Sequence, residues 1–361
     1  SNRVRLLEDG TSLGDVSDIG PDHGTPIDPL SARSVEVVRG AATLRYGSQA
    51  MGGVINTLNN RVPTSLPASN LSGEATTSYS TANRAGELAG LVDGKAGDLA
   101  LHADAYVRRI GDYDTPQGRQ ANSFFKGWGG SAGGSYFWGG GSHAGLAVTH
   151  YDAQFGIPSD TTYIDMRQTK IITRNVIEIA APLLKSLHLD GDYLHREKNP
   201  DGTVNATFRI KELNLRGEAL FNRMGAITNL ALGSEYQHRD FAALGAGADY
   251  LLPATSENIA AYVFSEVALA KALHLEGSAR IEQVRITGTP ASGTATAREY
   301  TPASAALGLL LDAGGGMKWG LTASTTTRAP ALTELFARGG HDGPQTYETG
   351  DPNLKVERAK A

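Results

Sequence analysis

Hydrophobic and polar residues alternate one by one along most of the chain from about residue 71 onward. Between 272 and 282 the odd positions are mainly aliphatic and the even positions mainly polar, and the stretch 211–221 repeats the pattern. Successive side chains of a β-strand point to opposite faces, so a period of two indicates strands. The pattern predicts a series of strands, each with one apolar and one polar face.

The polar faces carry charges of both signs, while the apolar faces consist of small and aliphatic side chains. A soluble sandwich would instead bury its apolar face in a bulky core. A wall with lipid outside and water inside fits this pattern better. We expect the aromatic residues near strand ends to form interfacial girdles: Tyr106, Trp128, Tyr136, Trp138, Tyr151, Tyr193, Tyr236 and Trp319.

The connections between these segments alternate between short and long, with one exception near Thr81 to Ala85. Transmembrane barrels have short turns on one side of the membrane and longer loops on the other. Counting strands by this rule gives thirteen, and a fourteenth begins after Leu354. The predicted fold is an incomplete transmembrane antiparallel β-barrel of about 13–14 strands over residues 71–361.

Residues 1–62 lack this pattern and predict a separate small α/β unit, joined to the barrel by a linker at 63–70. Val35–Val38 is one expected strand, and glycines punctuate the segment from Gly40 to Gly53. Glycine accepts positive φ and allows close backbone approach, which suits a compact unit with sharp turns. Glu36, Arg39 and Arg45 are candidates to pair with charges on the polar face of the strands, and ordinary solvated surface charges are the alternative.

The composition argues against several classes of fold and function. Apolar runs are too short for a membrane-spanning helix, and the chain has no cysteine for disulfides or thiolate metal sites. The net charge of −5 is spread without a basic stripe, so we expect no nucleic-acid partner. We find no nucleophile elbow, phosphate loop or paired catalytic carboxylates, so we expect neither an enzyme nor a resident cofactor.

Two segments resemble signatures of the TonB-dependent receptor family. The stretch Ser34–Asn56 is similar to the motif that closes the plug domain, and Thr327–Phe336 followed by Gly350–Leu354 is similar to a barrel signature. The resemblance implies that residues 1–62 are the C-terminal part of a plug inside the barrel. No signal peptide opens the chain and no terminal aromatic strand closes it, so we expect both ends to be missing.

The family implies a gram-negative outer-membrane location, with extracellular loops that bind ligand and lipid around the barrel. It also implies an inner-membrane TonB complex that pulls on a segment preceding the plug. Since that segment would lie upstream of Ser1, we expect the fragment alone not to transport. A passive porin-like channel or an adhesin barrel is the alternative from another class, and the plug motif argues against it.

The stretch 15–23 resembles the zinc-uptake branch of the family, in which an Asp-His pair on the plug contacts metal. That likeness assigns metal binding to Asp22 and His23. Imidazole and carboxylate are suitable zinc ligands, but a closed site needs about four donors. Further candidate donors at the long-loop side are Glu197, His341, Asp342 and Glu348, with His195 a weaker one.

Other interpretations of these residues remain open. His150, His195 and His238 share parity with the lipid-facing residues and suit interfacial polar positions, and Asp22 and His23 suit a turn that hydrogen-bonds its own backbone. The stretch 155–165 contains no histidine, unlike the histidine-rich loop of the zinc branch. A siderophore or haem, bound through aromatic and arginine side chains, is therefore the alternative ligand.

Overall fold

The computed structural model describes residues 3–13, 24–27, 32–158, 163–179, 181–196, 206–245, 247–341 and 346–361, with the backbone alone described at 191–196, 206 and 341.

Four short strands near the start form one small sheet in the order β2-β1-β4-β3. They are β1 (Arg5–Glu8), β2 (Thr11–Ser12), β3 (Ser34–Val38) and β4 (Val54–Leu58), with a 3-10 helix at Gly40–Tyr46. Leu7 and Val54 fill the small core of this unit. We call it the plug.

The remaining strands form a single large sheet with short accessory elements. In chain order the elements are β5 (Leu71–Ser80), β6 (Ala85–Ala96), β7 (Leu99–Ile110), β8 (Asp114–Thr115), β9 (Gly118–Arg119), β10 (Phe125–Trp138), β11 (Ser142–Gly156), β12 (Tyr163–Glu178), β13 (Leu184–Arg196), β14 (Ala206–Phe221), β15 (Ile227–Gly245), α1 (Gly247–Tyr250), β16 (Ala254–Ala270), β17 (Leu273–Gly288), β18 (Thr296–Tyr300), β19 (Ala303–Gly314), β20 (Met317–Arg328), α2 (Leu332–Phe336), β21 (Arg338–His341), β22 (Thr346–Thr349) and β23 (Glu357–Lys360).

Fifteen of these strands make the large sheet, which we call the wall. Its path runs from β5 to β23 through antiparallel neighbours, and the short strand β18 pairs with β17 beside that path. Thirteen strands from β5 to β20 lie on the path, and β23 adds a fourteenth after Leu354. The predicted strand number and the antiparallel barrel architecture are confirmed.

Connections of two to five residues join the strands at one end of the wall, which we call the short-turn end. At the other end, the long-loop end, most connections are longer, and two of them carry the hairpins β8–β9 and β21–β22. The turn at 81–84 is short although it lies at the long-loop end, as expected from the sequence. No helix among the described residues is long and apolar enough to cross a membrane.

One face of the wall is apolar and exposed along its whole width. Leu146, Leu215, Ile259 and Leu307 on four different strands are each about half exposed. The opposite face is polar and lies against the plug, so the alternation in the sequence corresponds to an outer and an inner surface.

The expected aromatic girdles are only partly correct. Trp128 and Trp319 are more than half exposed on the outer face. The prediction is wrong for Tyr106 and Tyr151, which are less than 10% exposed and pack in an inner cluster with Met166. Tyr151 shares strand parity with residues on the inner face, so its position near a strand end does not bring it to the lipid.

A charged residue on the outer face should destabilise the wall. Leu215 lies in the middle of β14 and is 49% exposed, so Leu215→Arg is expected to cost about 2–4 kcal/mol of folding free energy in a bilayer. The measurement is reversible unfolding of the full-length protein in phospholipid vesicles. Leu183→Arg is the matched control, because Leu183 is 60% exposed but lies in a short turn. Equal costs at both positions would contradict a lipid-facing surface.

Candidate functional site

The inner face of the wall carries ordered rows of charged residues because the antiparallel register brings them side by side. One row crosses β12 to β17 and contains Arg174, Asp190, Arg216, Glu235 and Glu282. The next row, two residues closer to the short-turn end, contains His188, Glu218, Tyr262 and Arg280. Opposite charges therefore alternate on a surface that the plug covers.

Arg45 of the plug reaches into these rows. Its guanidinium donates to Glu218 of β14 with N–O distances of 2.6 and 3.2 Å. Glu218 also accepts hydrogen bonds from Tyr262 at 2.9 Å and from Arg216 at 3.1 Å. The predicted pairing with the wall is confirmed for Arg45, whereas Glu36 accepts a hydrogen bond from Asn56 inside the plug and Arg39 is exposed. Because Glu218 is almost fully buried, this carboxylate depends on all three donors to remain ionised inside the protein.

A second anchor lies at the end of the 3-10 helix. The backbone N–H and hydroxyl of Ser48 donate to Glu282 at 3.2 and 2.7 Å, while Arg280 pairs with both Glu282 and Glu235 at 2.5 Å. Gly47, just before Ser48, has φ of 118°, and a side chain there would collide with the Arg5 guanidinium. The Gly-rich motif thus gives the chain the sharp turn that presents Ser48 to the wall.

On the other side of the plug, Arg61 pairs with Glu8 inside the plug and lies 3.5 Å from Asp104 of β7. His102 of β7 contacts Asp93 through Nδ1 at 2.8 Å and Asp104 through Nε2 at 3.2 Å. A neutral imidazole carries a single N–H, so hydrogen bonds to two carboxylates require the doubly protonated ring. The cluster then alternates cations and anions from the plug to the wall.

A lysine forms a fourth contact between wall and plug. Lys170 of β12 is fully buried and donates to Thr11 Oγ1 at 2.8 Å and to the Ser12 carbonyl at 2.6 Å. Gln168, two residues earlier, donates to the Leu13 carbonyl at 2.8 Å. The plug is therefore held by directional polar contacts on several sides.

The segment that resembles the barrel signature folds into the long-loop end of the lumen. Arg328 binds Glu334 through two N–O contacts of 2.7 and 2.9 Å, and Glu334 also accepts the backbone N–H of Ala331 at 2.7 Å. These bonds fix the start of α2. Its Leu335 and Phe336 are completely buried against the inner face of β14–β17, so α2 closes part of the lumen above the plug.

Between the plug and α2 lies a cavity of about 140 Å³. Plug residues Arg5 and Ser12, wall residues Arg239 and Asn258, and Leu332 of α2 all contribute to its lining. The cavity combines cationic, amide and aliphatic groups, which is the mixture expected of a ligand site with a few orienting polar contacts.

Two separate aromatic groups lie at the long-loop end of β10 and β11. Phe125 and Phe155 belong to the inner cluster, whereas Phe124 and Lys126 share strand parity with the exposed Trp128. Phe125 and Phe155 stack with ring centroids 6.3 Å apart. Arg108 lies over Phe125 and Lys126 over Phe124, at 6.0 and 5.5 Å from the ring centroids. Cationic groups beside aromatic faces can bind planar or anionic ligands.

The predicted metal donors are mostly outside the described part of the chain. Asp22, His23, Glu197 and Asp342 lie outside it, while His195 in β13 and His341 in β21 are described by their backbone alone. Their roles stay predictions. Glu348 accepts a hydrogen bond from Tyr250 at 2.6 Å.

Among the residues with described positions, no group of three or more His, Cys, Asp or Glu has the arrangement of a metal site. Two histidines match the interfacial alternative. His150 lies beside Trp128, with ring centroids 5.1 Å apart, and His238 is partly exposed, 3.3 Å from Asp240.

Sequence reasoning did not identify the partners in the charge rows, although Glu212, Arg216, Glu218, Arg280 and Glu282 all belong to polar faces that it recognised. Alternation shows which side chains point inward, but the register between strands decides which of them meet. The short helix α2, which covers part of the lumen, was also not predicted, because five helical residues inside a long loop leave no periodic signal.

Comparisons with known proteins agree with this architecture. Residues 1–54 match the family described as "TonB-dependent Receptor Plug Domain", and residues 56–361 match "TonB dependent receptor-like, beta-barrel". Among solved structures, the chain is similar to "Copper transporter OprC", with 15% identity and a TM-score of 0.83 over 100% of this chain and 60% of that one.

Two further structures show the same fold. They are the siderophore receptor PirA from Pseudomonas aeruginosa (17% identity, TM-score 0.70, 99% of this chain and 62% of that one) and the hemophore receptor HasR from Serratia marcescens in complex with its hemophore HasA and heme (15%, 0.76, 99% and 61%). The chain thus spans about 60% of the length of these proteins.

Removing one side of the Arg45–Glu218 pair should loosen the plug. Breaking a buried pair costs about 3–5 kcal/mol, and Arg45→Gln should fall at the lower end because its side chain is 22% exposed. Glu218→Gln should cost more, since Tyr262 and Arg216 also lose their acceptor. Hydrogen exchange of plug amides in the full-length protein measures the effect.

Arg285→Gln is the control for that experiment. Arg285 and Glu299 form an exposed pair with a 3.9 Å contact, so its loss should change stability by less than about 1 kcal/mol. The double variant of Arg45 and Glu218 should show strong coupling. Additive effects of the two substitutions would mean that the contact does not hold the plug.

The contacts that hold helix α2 against the wall should weaken at acidic pH. Burial would raise the pKa of Glu334, but hydrogen bonds from Arg328 and the Ala331 N–H outweigh burial and hold this pKa below its ordinary value of 4.5. The Arg328–Glu334 contact therefore stabilises α2 fully above pH 4.5, and this stabilisation is lost as the pH falls through the lowered pKa.

Protease sensitivity of the segment 329–341, followed against pH, measures this loosening. Glu334→Gln should make the segment sensitive at neutral pH and remove the acid transition. Asp312→Asn, near the short-turn end of β19 and far from α2, is the control and should leave the profile unchanged. An acid transition that persists in Glu334→Gln would assign it to another group.

Proposed function

Because the chain belongs to the TonB-dependent receptor family, we propose that it is part of an outer-membrane receptor for active uptake of a metal, as a free ion or as a chelate. In this proposal, ligand enters from the long-loop end and the TonB complex supplies the energy that displaces the plug. Lipid surrounds the apolar outer face of the wall.

The observation that carries the proposal is the plug held across the polar lumen by buried charge contacts. Arg45, Ser48 and Arg61 connect the plug to wall carboxylates on both of its sides. Each buried contact is costly to break at one partner only, so a resting receptor stays closed. Water entering behind a displaced plug would solvate the separated charges, so a pulling force would open a wet path through the wall.

The finer proposal is that the transported ligand is zinc. It rests on the Asp22-His23 pair, whose oxygen and imidazole nitrogen atoms suit zinc coordination. Gly24 follows His23 in the sequence and lies beside the ring of Phe155 at the long-loop end. In the proposal, Glu197, His341 and the weaker candidate His195 are further donors.

A siderophore or haem is the second candidate ligand. The stacked pair of Phe125 and Phe155 with Arg108 supports it, because planar anionic chelates bind to such surfaces without direct coordination of the metal. The similar structures are named for copper, siderophore and haem-related uptake. Their low identity supports the fold and does not distinguish among these ligands.

Calorimetric titration of the full-length receptor separates the two ligands. If zinc is the cargo, zinc binds to the wild type and His23→Ala weakens binding by about tenfold or more, since one of about four donors is lost. His238→Ala is the control and should bind zinc unchanged. Unchanged zinc affinity in His23→Ala removes this site, and binding of haem or a ferric siderophore without zinc binding selects the alternative.

A conductance measurement tests the receptor against a passive channel. In planar bilayers the full-length protein should show no steady open pore, because the plug fills the lumen. Arg45→Gln combined with Glu218→Gln should raise the frequency of brief openings. A steady large conductance in the wild type would instead favour the porin-like alternative.

A further inference from the structure

A half-buried arginine of the plug faces two neighbouring cavities without a direct partner. Arg5 on β1 lines both the cavity of about 140 Å³ beneath α2 and a smaller one of about 30 Å³ against β14 and β15. Its backbone N–H donates to the Gly53 carbonyl. Its guanidinium forms no hydrogen bond or ion pair with any residue that the structure describes, and burial lowers the pKa of Arg5.

The carboxylates nearest to Arg5 are already paired with other cations. Arg280 binds Glu235 and Glu282 at 2.5 Å, and Arg239 binds Glu212 at 2.6 Å. Asp190 of β13 also lines the smaller cavity, and it lies 4.0 Å from Arg174. Among the described cations that line the two cavities, Arg5 is the one without a direct carboxylate contact, since Arg239 pairs with Glu212 and Arg216 with Glu218.

A second polar group lines both cavities without a partner. The Oδ1 atom of Asn258 on β16 is buried and has no hydrogen-bond partner within the described part of the chain. The two ends of an asparagine amide can exchange by a flip, so Asn258 can present either an acceptor or an N–H donor to the cavity. Ser256, on the same strand, adds a hydroxyl to the lining.

We propose that the cavity between the plug and α2 binds a small oxyanion, a carboxylate or a phosphate, through the Arg5 guanidinium and the amide N–H of Asn258. Arginine offers paired N–H donors that match two oxygens of such an anion. The volume is several times the ~10–15 Å³ that a single water requires. The anion pairs with the Arg5 guanidinium and links the plug to β16, whatever ligand the receptor transports.

The test is calorimetry and thermal unfolding of the full-length receptor with sodium acetate or inorganic phosphate, at constant ionic strength. At least one of the two anions should bind saturably and raise the melting temperature of the plug. Binding of acetate alone assigns a planar carboxylate, and binding of phosphate alone assigns a tetrahedral anion. Absence of saturable binding by both overturns the proposal, as does equally tight binding of neutral acetamide.

Substitutions of Arg5 test whether the anion binds in this cavity. Arg5→Gln should weaken anion binding by about tenfold or more, since a charge-assisted contact is lost, while Arg5→Lys should retain part of it. Arg3→Gln is the matched control, because Arg3 is another plug arginine but is largely exposed and pairs with Glu357. Unchanged affinity in Arg5→Gln overturns the proposal.

Asn258→Ala keeps the test decisive if Arg5→Gln disturbs the plug. The substitution lies on the wall, leaves every plug residue in place and should weaken the same anion by about threefold or more. If the plug of Arg5→Gln unfolds and Asn258→Ala binds the anion with wild-type affinity, the cavity is not the binding site.

Discussion

The arrangement of this protein depends on charged groups that have been removed from bulk water and must find one another. A buried carboxylate or guanidinium is strongly unfavourable unless an opposite charge and hydrogen bonds surround it. Glu218 therefore constrains both the wall, through Tyr262 and Arg216, and the plug, through Arg45. The plug has a single well-defined position in the lumen because only one placement satisfies these contacts together.

This interface differs from the core of an ordinary globular domain. The apolar cores are small and separate, and the aliphatic face of the wall points outward instead of toward the plug. A contact made of ion pairs is rigid while it stays dry and weakens when water enters, whereas an apolar contact would strengthen against water. In the proposed receptor, such an interface suits a plug that holds its place at rest and is displaced when ligand is taken up.

The sequence predicted the wall more completely than the site. Alternating residues and the lengths of the connections were sufficient for thirteen strands and the start of another, because each strand imposes its own period. The motif around Gly47 also supplied three candidates for contact with the wall, Glu36, Arg39 and Arg45, of which Arg45 reaches it. Which charges meet could not be predicted, since Glu218 and Arg280 lie on strands far apart in sequence, and nearness to a strand end misplaced Tyr106 and Tyr151.

The rows of inner charges also limit how such a wall can change over evolution. Inserting one residue near the middle of β14 would rotate every later side chain by half a turn, so Glu218 would face hydrocarbon and Ala219 the plug. An insertion of two residues would keep every side chain on its own face but would move the later charged residues into the neighbouring row. Length variation should therefore accumulate in the loops, and within strands it should occur in pairs of residues.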